Sequence, residues 1–272
     1  MVCSRSIVAN VNPKSKKCIY HNEIALGEGA RIVEPEAVLV QMREETERLV
    51  RQYQNTTDDM RGGGCMNNQR TLPVIDILRH RVGTDGHGIR TLIIVAGCPL
   101  RCQYCINPDT WDGTETAKEY SLEELYDEIK IDDLYFRATN GGITFGGGEP
   151  ALYSEFIAEF IKMYCKNWNV CIETSLYVSW QNIKKLLGSV DNYFIDIKMF
   201  CAKDYKAYTG GELFLVIDNL TKLLQNISTD KIIVRLPIIQ GYTDMEKCNN
   251  TKEALSNLGV KNIDIFEYQI WK

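Results

Sequence analysis

Three cysteines, Cys98, Cys102 and Cys105, lie on the nine-residue stretch GCPLRCQYC, directly after the apolar run Leu92–Ala96. Soft thiolates select iron–sulfur clusters or zinc, and a structural zinc site would need a fourth ligand with similar local pairing. No CxxC or HxxxH pair follows in the sequence. Three cysteines leave one iron of a cubane cluster without a protein ligand. A small molecule that carries an amine and a carboxylate can chelate such an open iron.

The CxxxCxxC spacing, with the aromatic Tyr104 before the last cysteine, resembles the radical S-adenosylmethionine superfamily. The resemblance implies that Cys98, Cys102 and Cys105 are the catalytic and metal-binding residues and hold one [4Fe-4S] cluster. It also implies that the methionyl part of S-adenosylmethionine binds the fourth iron. An injected electron then cleaves the cofactor to a 5'-deoxyadenosyl radical, which abstracts hydrogen from the substrate.

Two flanking segments narrow the resemblance. Residues 85–90 (DGHGIR) and 105–111 (CINPDTW) are similar to the glycyl-radical-enzyme activating enzymes of the pyruvate formate-lyase type. Such an enzyme places a radical on a glycine of another protein. The resemblance therefore implies a glycyl radical protein as partner, a flavodoxin or ferredoxin as electron donor, and an anaerobic setting.

Later segments resemble the family's cofactor-binding motifs. Residues 141–150 (GGITFGGGEP) resemble the segment that orders the methionyl amino group, and glycines let a strand-end backbone approach a ligand closely. Residues 173–175 and 196–198 resemble motifs around the cofactor's carboxylate and ribose and, in some relatives, a monovalent cation. The cofactor contacts implied by the resemblance are Tyr104, Asn107, Gly147, Gly148, Glu149, Glu173, Thr174, Asp196, Lys198 and Arg235.

Short β-rich runs alternate with helical stretches from about residue 74 onward, which indicates βα units and a parallel sheet. The predicted strands are Leu92–Ala96, Gly142–Phe145, Val170–Glu173, Tyr193–Ile197, Ile232–Pro237 and Ile263–Tyr268. The predicted helices are Leu122–Phe136, Ser154–Lys166, Trp180–Leu187, Leu213–Gln225 and Met245–Leu258. We therefore expect an α/β fold, a partial (β/α)6 TIM-like radical S-adenosylmethionine barrel over residues 73–272, with its chemistry at the C-terminal strand ends. Residues 1–72 are expected to be an N-terminal extension of unknown role, with a helix at Pro35–Gln54.

Three departures from the family pattern keep other functions open. His87 replaces an expected proline, and Ile106 and Gln269 stand where activating enzymes often carry histidines. The same radical chemistry could therefore act on a small molecule, a nucleotide precursor or a peptide. A non-catalytic iron–sulfur protein is the third alternative.

The charge, the apolar runs and the cysteine content argue against a nucleic-acid-binding, a membrane or a secreted protein. The formal net charge of −5 and the pI near 5.4 argue against a broad basic surface, so no nucleic-acid partner is expected. The apolar runs are too short to span a bilayer and the N-terminus lacks a signal-peptide core, so we expect no membrane association and a cytoplasmic location. The ten cysteines are then expected to be reduced thiols.

Overall fold

The computed structural model describes residues 9–10, 31–32, 71–112 and 117–267. The chain divides into two units, residues 1–67 and 68–272. In the first unit, β1 (Ala9–Asn10) pairs antiparallel with β2 (Arg31–Ile32). The predicted helix Pro35–Gln54 lies outside the described residues.

The second unit is built on one mixed sheet of eight strands. These strands are β3 (Leu72–Val82), β4 (Ile89–Val95), β5 (Lys118–Tyr120), β6 (Gly142–Gly147), β7 (Asn169–Thr174), β8 (Asn192–Asp196), β9 (Ile232–Ile238) and β10 (Asn262–Glu267). Their spatial order is β10-β9-β8-β7-β6-β4-β3-β5, and every pair from β4 to β10 is parallel. Each crossover thus advances by one strand in the same direction, which is the topology of a partial barrel. The predicted fold class and the six predicted parallel strands are confirmed.

The two faces of the parallel strands differ in chemistry, because successive side chains of a strand alternate between faces. One face is apolar and fully buried, with Ile93, Phe145, Ile172, Ile195 and Val234 each 0% exposed. The opposite face, here called the inner face, carries Thr144, Cys171, Glu173, Asp196 and Arg235. The inner face therefore offers charged groups, and the other face provides the core.

Two strands beyond the predicted set extend the sheet past β4. β3 pairs antiparallel with β4, with register shifts after Val74 and after Leu78, and β5 pairs antiparallel with β3. The charged residues Asp76, Arg79 and Arg81 interrupt the apolar alternation of β3. Because of these interruptions, sequence periodicity did not reveal this strand.

Arg90 joins β4 to β6 and β7 at the N-terminal ends of these strands. Its side chain is 0% exposed, and its guanidinium donates to Thr144 Oγ1 (2.8 Å), Asn169 Oδ1 (2.9 Å) and the Asn169 carbonyl (3.1 Å). A further bond runs to the Ile143 carbonyl. Burial lowers the pKa of Arg90, although nearby acidic groups oppose the shift. This guanidinium is therefore part of the core of the sheet.

The helices that follow the strands largely agree with the predictions. The observed helices are α1 (Leu122–Ile129), α2 (Asp133–Thr139), α3 (Ser154–Tyr164), α4 (Trp180–Leu186), α5 (Ala202–Thr209), α6 (Leu213–Asn226) and α7 (Met245–Asn257). The single predicted helix Leu122–Phe136 is wrong, because a 3-10 turn at Lys130–Asp132 separates α1 from α2. Asp132 is 2% exposed there and accepts hydrogen bonds from Arg79 Nη1 (2.5 Å) and Thr91 Oγ1 (2.8 Å). In the described ranges, no helix has the length and apolar character needed to cross a membrane.

Candidate functional site

The three clustered cysteines lie on a loop at the C-terminal end of β4, here called the cysteine loop (residues 98–105). Gly97 precedes the loop; its N–H donates to the Thr110 carbonyl (2.6 Å), and its carbonyl accepts from the Glu149 N–H (2.8 Å). Asn107 closes the turn after the loop, since its carbonyl accepts from both the N–H and the hydroxyl of Thr110. Backbone bonds therefore anchor both ends of the cysteine loop beside the end of β6.

Helix α5 supports the middle of the cysteine loop. The Arg101 N–H donates to the Thr209 carbonyl (2.8 Å), and the Gln103 N–H donates to the Tyr208 carbonyl (3.0 Å). The last carbonyls of a helix have no partner within the helix, so the loop completes the C-terminus of α5. Cys102, between the two donors, is consequently fixed against this helix end.

A cluster of tyrosines packs against the same loop. The Gln103 side chain donates to the Ala207 carbonyl (2.9 Å) and accepts from the Tyr242 hydroxyl. The Tyr242 ring lies edge-on to Tyr208 (4.9 Å between centroids) and to Tyr104 (5.6 Å). Sequence reasoning missed α5, Tyr208 and Tyr242, because no local spacing links them to the cysteines.

The three thiols lie close enough to affect one another and are each partly buried. Burial raises the pKa of Cys98 to about 12, and the charges of Glu149, Cys102 and Cys105 add to the shift. Burial also raises the pKa of Cys102 to about 11, although Lys198 opposes it. Metal binding to this loop would therefore release protons from the thiols.

Cys98, Cys102 and Cys105 supply three free thiols from one short loop. Within the described ranges, no three His, Cys, Asp or Glu side chains converge on a point where they could share one metal ion. In a cubane cluster, however, each thiolate binds a different iron atom. Three soft thiols on one loop thus fit a cluster whose fourth iron lacks a protein ligand.

Glu149 connects the end of β6 to the segment after β7. Its side chain is 1% exposed, and it accepts hydrogen bonds from Thr174 Oγ1 (2.6 Å), the Ser175 N–H (2.9 Å), Ser175 Oγ (2.6 Å) and the Ala151 N–H (3.2 Å). Burial raises the pKa of Glu149 in spite of these donors. In this structure Glu149 and Thr174 bind each other, and their predicted contact with a cofactor stays a prediction.

The glycines at the end of β6 permit close approach between strand ends. A Cβ at residue 148 would come within 2.3 Å of the Gly97 carbonyl oxygen, and one at residue 146 within 2.9 Å of Glu173 Oε2. Gly147 has a φ of +92°, in the left-handed region that side chains disfavour. Gly147 and Gly148 are therefore required by the backbone itself, before any ligand is considered.

Four charged side chains of the strand ends form a continuous ion-pair chain beside the cysteine loop. Arg235 on β9 donates to Glu173 Oε1 on β7 (2.9 Å) and to Asp196 Oδ1 on β8 (2.8 Å). Lys198 reaches Asp196 Oδ2 at 3.2 Å. Sequence analysis predicted all four as site residues, and the structure brings them together.

The ion-pair chain shifts the protonation of its members. Burial disfavours the Asp196 carboxylate, but Lys198 and Arg235 outweigh it and lower the pKa of Asp196 to about 2. Burial raises the pKa of Glu173, against the influence of Arg235. Burial alone would lower the pKa of Arg235, but the charges of Asp196 and Glu173 outweigh this effect and raise it. The ion-pair chain therefore contains an ionised carboxylate, that of Asp196, next to the permanently charged guanidinium of Arg235.

Several other predicted positions lie apart from this arrangement or beyond the described residues. Asp85 and His87 precede β4 and Arg90 lies near its start, so all three are at the opposite end of that strand from the cysteine loop. Ile106 is 68% exposed directly after the last cysteine. Gln269 lies outside the described residues.

Comparisons with known proteins bear on this site. The family model described as the radical SAM superfamily matches residues 92–248. A pyruvate formate-lyase-activating enzyme of Clostridium pasteurianum is 36% identical over 186 residues, which cover 67% of this chain and 75% of that protein. A 4-hydroxyphenylacetate decarboxylase activating enzyme of Clostridioides difficile (strain 630) is 27% identical over 262 residues, covering 73% and 82%.

A solved structure is similar in fold. Streptococcus suis SuiB matches with a TM-score of 0.50 and 12% identity, over 65% of this chain and 39% of that chain. At this identity the likeness concerns the fold alone. It agrees with the partial barrel that the six parallel strands form.

Proposed function

We propose that this chain, which belongs to the radical S-adenosylmethionine superfamily and within it to the glycyl-radical-enzyme activating enzymes, installs a radical on a glycine of a partner protein. The observation that carries the proposal is the cysteine loop, with its three thiols, placed beside the ion-pair chain of the inner face. A thiol site for iron and a charged site for an amino-acid cofactor thus adjoin.

The thiol set fits a [4Fe-4S] cluster that Cys98, Cys102 and Cys105 would hold. With S-adenosylmethionine, such a cluster supplies a 5'-deoxyadenosyl radical that abstracts hydrogen. The chain's own part is to hold the cysteine loop on α5 and to bury part of each thiol. One cluster with three cysteine ligands is the number that the loop supports.

The remaining site residues would bind and orient the cofactor. Lys198 offers a point charge for its carboxylate, and Asp196 is a carboxylate for a hydroxyl group or a monovalent cation. Tyr104, which precedes Cys105 in the cysteine loop and is 40% exposed, is a further proposed cofactor contact. The peptide groups of Gly147 and Gly148 are proposed to contact the cofactor, and Glu149 and Thr174 to fix the neighbouring segment. The proposed contact set is completed by Asn107, Glu173 and Arg235.

The proposal extends to partners and domains. A glycyl radical protein is the substrate in this proposal, because the chain is similar to activating enzymes named for pyruvate formate-lyase and for 4-hydroxyphenylacetate decarboxylase. A flavodoxin or ferredoxin would supply the electron. Residues 73–272 form the catalytic domain in this proposal, and residues 1–72 are an extension to which it assigns no role. We place the protein in the cytoplasm, because the thiols must stay reduced to bind iron.

Electron paramagnetic resonance tests the proposal. The chain is reconstituted with iron and sulfide without oxygen, reduced, and mixed with S-adenosylmethionine and a glycyl radical enzyme encoded near it. We expect a glycine-centred doublet that is absent without the chain. Vigorous cofactor cleavage with no doublet on any protein tested, but many turnovers with a small molecule, would instead support the small-molecule alternative.

A further inference from the structure

Leu176, which follows β7, has a backbone conformation that leucine disfavours. Its φ is +58°, in the left-handed region that a bulky side chain rarely adopts, and its side chain is 0% exposed. His80 and Asn140, the other non-glycine residues with a positive φ in the described ranges, are exposed. Such a conformation persists only where the surrounding structure enforces it. The contacts around Leu176 therefore show what holds it.

Asn219, in the middle of α6, binds the segment 174–178, here called the Leu176 turn. Its amide nitrogen donates to the carbonyls of Leu176 (2.9 Å) and Val178 (2.8 Å). Asn219 is 0% exposed, and no described residue hydrogen-bonds its amide oxygen. A buried polar atom without a partner is costly, so it needs an explanation. Carbonyl groups only accept, so an amide that binds two of them must turn its nitrogen toward both.

The first half of the Leu176 turn binds Glu149. Thr174 Oγ1 and Ser175 Oγ each donate to its carboxylate at 2.6 Å, and the Ser175 N–H donates at 2.9 Å. The Leu176 N–H donates to Thr174 Oγ1 (2.9 Å), which leaves the hydroxyl proton for Glu149. Rotation about φ of Leu176 is what joins this half to the carbonyls that Asn219 binds. The left-handed φ therefore sets the position of Thr174 and Ser175 relative to α6.

Glu149 connects the Leu176 turn to the cysteine loop. Its side chain is 1% exposed, and its backbone N–H donates to the carbonyl of Gly97 (2.8 Å), the residue before Cys98. Asn219, the Leu176 turn and Glu149 thus form a series of direct hydrogen bonds that ends at the base of the cysteine loop.

We propose that Asn219 is a positioning residue for S-adenosylmethionine. It holds the Leu176 turn in its left-handed conformation, and the turn holds Thr174 and Glu149 where they would meet the cofactor. The inference rests on the proposed function, because that proposal assigns a ligand to Thr174 and Glu149. Without the two amide bonds, Leu176 would relax to a negative φ, and Thr174 would rotate away from Glu149. Asn219 acts through the turn and needs no contact with the cofactor.

The affinity of Asn219→Leu for S-adenosylmethionine tests the inference. The change removes both donors from a side chain of similar size. Equilibrium dialysis of the reconstituted full chain measures cofactor binding in the oxidised state, in which the cofactor is not cleaved. We expect the dissociation constant to rise about tenfold at unchanged iron content, because the turn loses two hydrogen bonds.

Asn226→Leu is the matched control. It makes the same change on the same helix, at an exposed amide that donates to the Lys222 carbonyl (2.7 Å) within α6. Its dissociation constant should equal that of the wild type.

Substitutions of Leu176 test the role of the turn. Leu176→Gly accepts a positive φ without strain, whereas Leu176→Ala leaves almost the same cavity and keeps the Cβ. Adding Asn219→Leu should raise the dissociation constant about tenfold in the Leu176→Ala background and less than about twofold in the Leu176→Gly background. An equal rise in both backgrounds would overturn the inference, because Asn219 would then not act through the left-handed conformation.

Hydrogen exchange of the cluster-free chain gives a readout that needs no cofactor. The Ser175 N–H donates to Glu149, so the amides of residues 173–178 should exchange faster in Asn219→Leu than in wild type or Asn226→Leu. A purely structural role of Asn219 would lower the unfolding temperature and leave the cofactor affinity unchanged. That result would overturn the inference.

The outcomes separate this inference from the proposed function. If wild type binds S-adenosylmethionine and Asn219→Leu binds it equally well, the inference alone is overturned. A wild-type chain that binds no cluster overturns the proposed function and the inference with it. If Asn219→Leu does not fold, Asn219→Ala takes its place with the same expectations, because it removes both donors without placing apolar atoms against the two carbonyls.

Discussion

At the scale of single residues, Cys102 is held from both sides by the contacts of the cysteine loop with α5. Both of its chain neighbours donate backbone hydrogen bonds to carbonyls of α5, and its sulfur lies near the charges of Lys198 and Asp196. A thiol held in this way is fixed before any metal arrives. If Cys102 binds the cluster as proposed, its replacement removes a ligand that is already in position.

Cys102→Ala is expected to lower bound iron and the visible iron–sulfur absorption by at least tenfold after anaerobic reconstitution, because two thiolates cannot hold the cluster. The fold should persist, as measured by circular dichroism. Cys165→Ala is the control, since Cys165 is a buried thiol away from the loop. Retention of full iron by Cys102→Ala would show that the ligand assignment is wrong.

Asp196 should contribute to the acid stability of the chain. Its pKa of about 2 in the folded chain lies below the ordinary value of 3.8, so its contribution is complete above about pH 4 and is lost as the pH falls toward 2. Asp196→Asn should therefore cost about 2 kcal/mol of unfolding free energy at pH 7 and much less near pH 2. Urea titrations at several pH values measure this. A constant difference across that range, as expected for the exposed control Asp204→Asn, would contradict it.

The sequence supports prediction of the residues better than of their contacts. Cys98, Cys102 and Cys105 are recognisable from spacing alone, because all three proposed ligands lie within one short loop. The partners of Glu149 are Thr174 and Ser175, which meet it only once β6 and β7 have paired. Contacts between strands depend on register, and register is not contained in a local motif.

At the scale of elements, α5 links the cysteine loop to the rest of the partial barrel. It is a helix of eight residues with little amphipathic pattern, which explains why periodicity did not predict it. The buried face of α5 carries Tyr205, Tyr208 and Thr209. The cysteine loop binds the last carbonyls of α5, so the position of the thiols depends on a helix that lies about a hundred residues away in sequence.

Gln103→Ala tests this dependence. It removes the bonds from Gln103 to the Ala207 carbonyl and to the Tyr242 hydroxyl, so the loop should move more freely on α5. We expect bleaching of the reconstituted cluster in air to be several-fold faster than in wild type. Lys203→Ala, an exposed change on α5, should bleach at the wild-type rate. Equal rates for the two variants would mean that α5 does not protect the cluster.

Arg90→Met tests the opposite end of the strands. The change leaves Thr144, Asn169 and the Ile143 carbonyl without their buried donor. We expect a loss of about 3–5 kcal/mol in unfolding free energy. Arg137→Met removes an exposed partner of Asp133 and should change stability by less than about 1 kcal/mol. Chemical denaturation measures the unfolding free energy of both variants. If Arg90→Met lost no more than Arg137→Met, Arg90 would not be part of the core.

At the scale of the whole second unit, the sheet of the partial barrel separates the apolar core on one face from the charged inner face on the other. Parallel strands in chain order place Arg235 opposite Asp196, and the Arg235 side chain also reaches Glu173, although the three residues lie on three different strands. The predicted strands were sufficient to infer this convergence, because C-terminal ends of parallel strands share an edge. The added strands β3 and β5 were not foreseen, since antiparallel pairing at the edge follows from tertiary contacts.

The function proposed above requires that this chain cleave S-adenosylmethionine reductively at a cluster held by the cysteine loop. The most direct measurement is chromatographic quantification of 5'-deoxyadenosine after the reconstituted chain is reduced with dithionite in the presence of S-adenosylmethionine. We predict that wild type forms 5'-deoxyadenosine and that Cys102→Ala forms none above background. An intact cluster in wild type with no 5'-deoxyadenosine formed would contradict the account and favour a non-catalytic iron–sulfur protein.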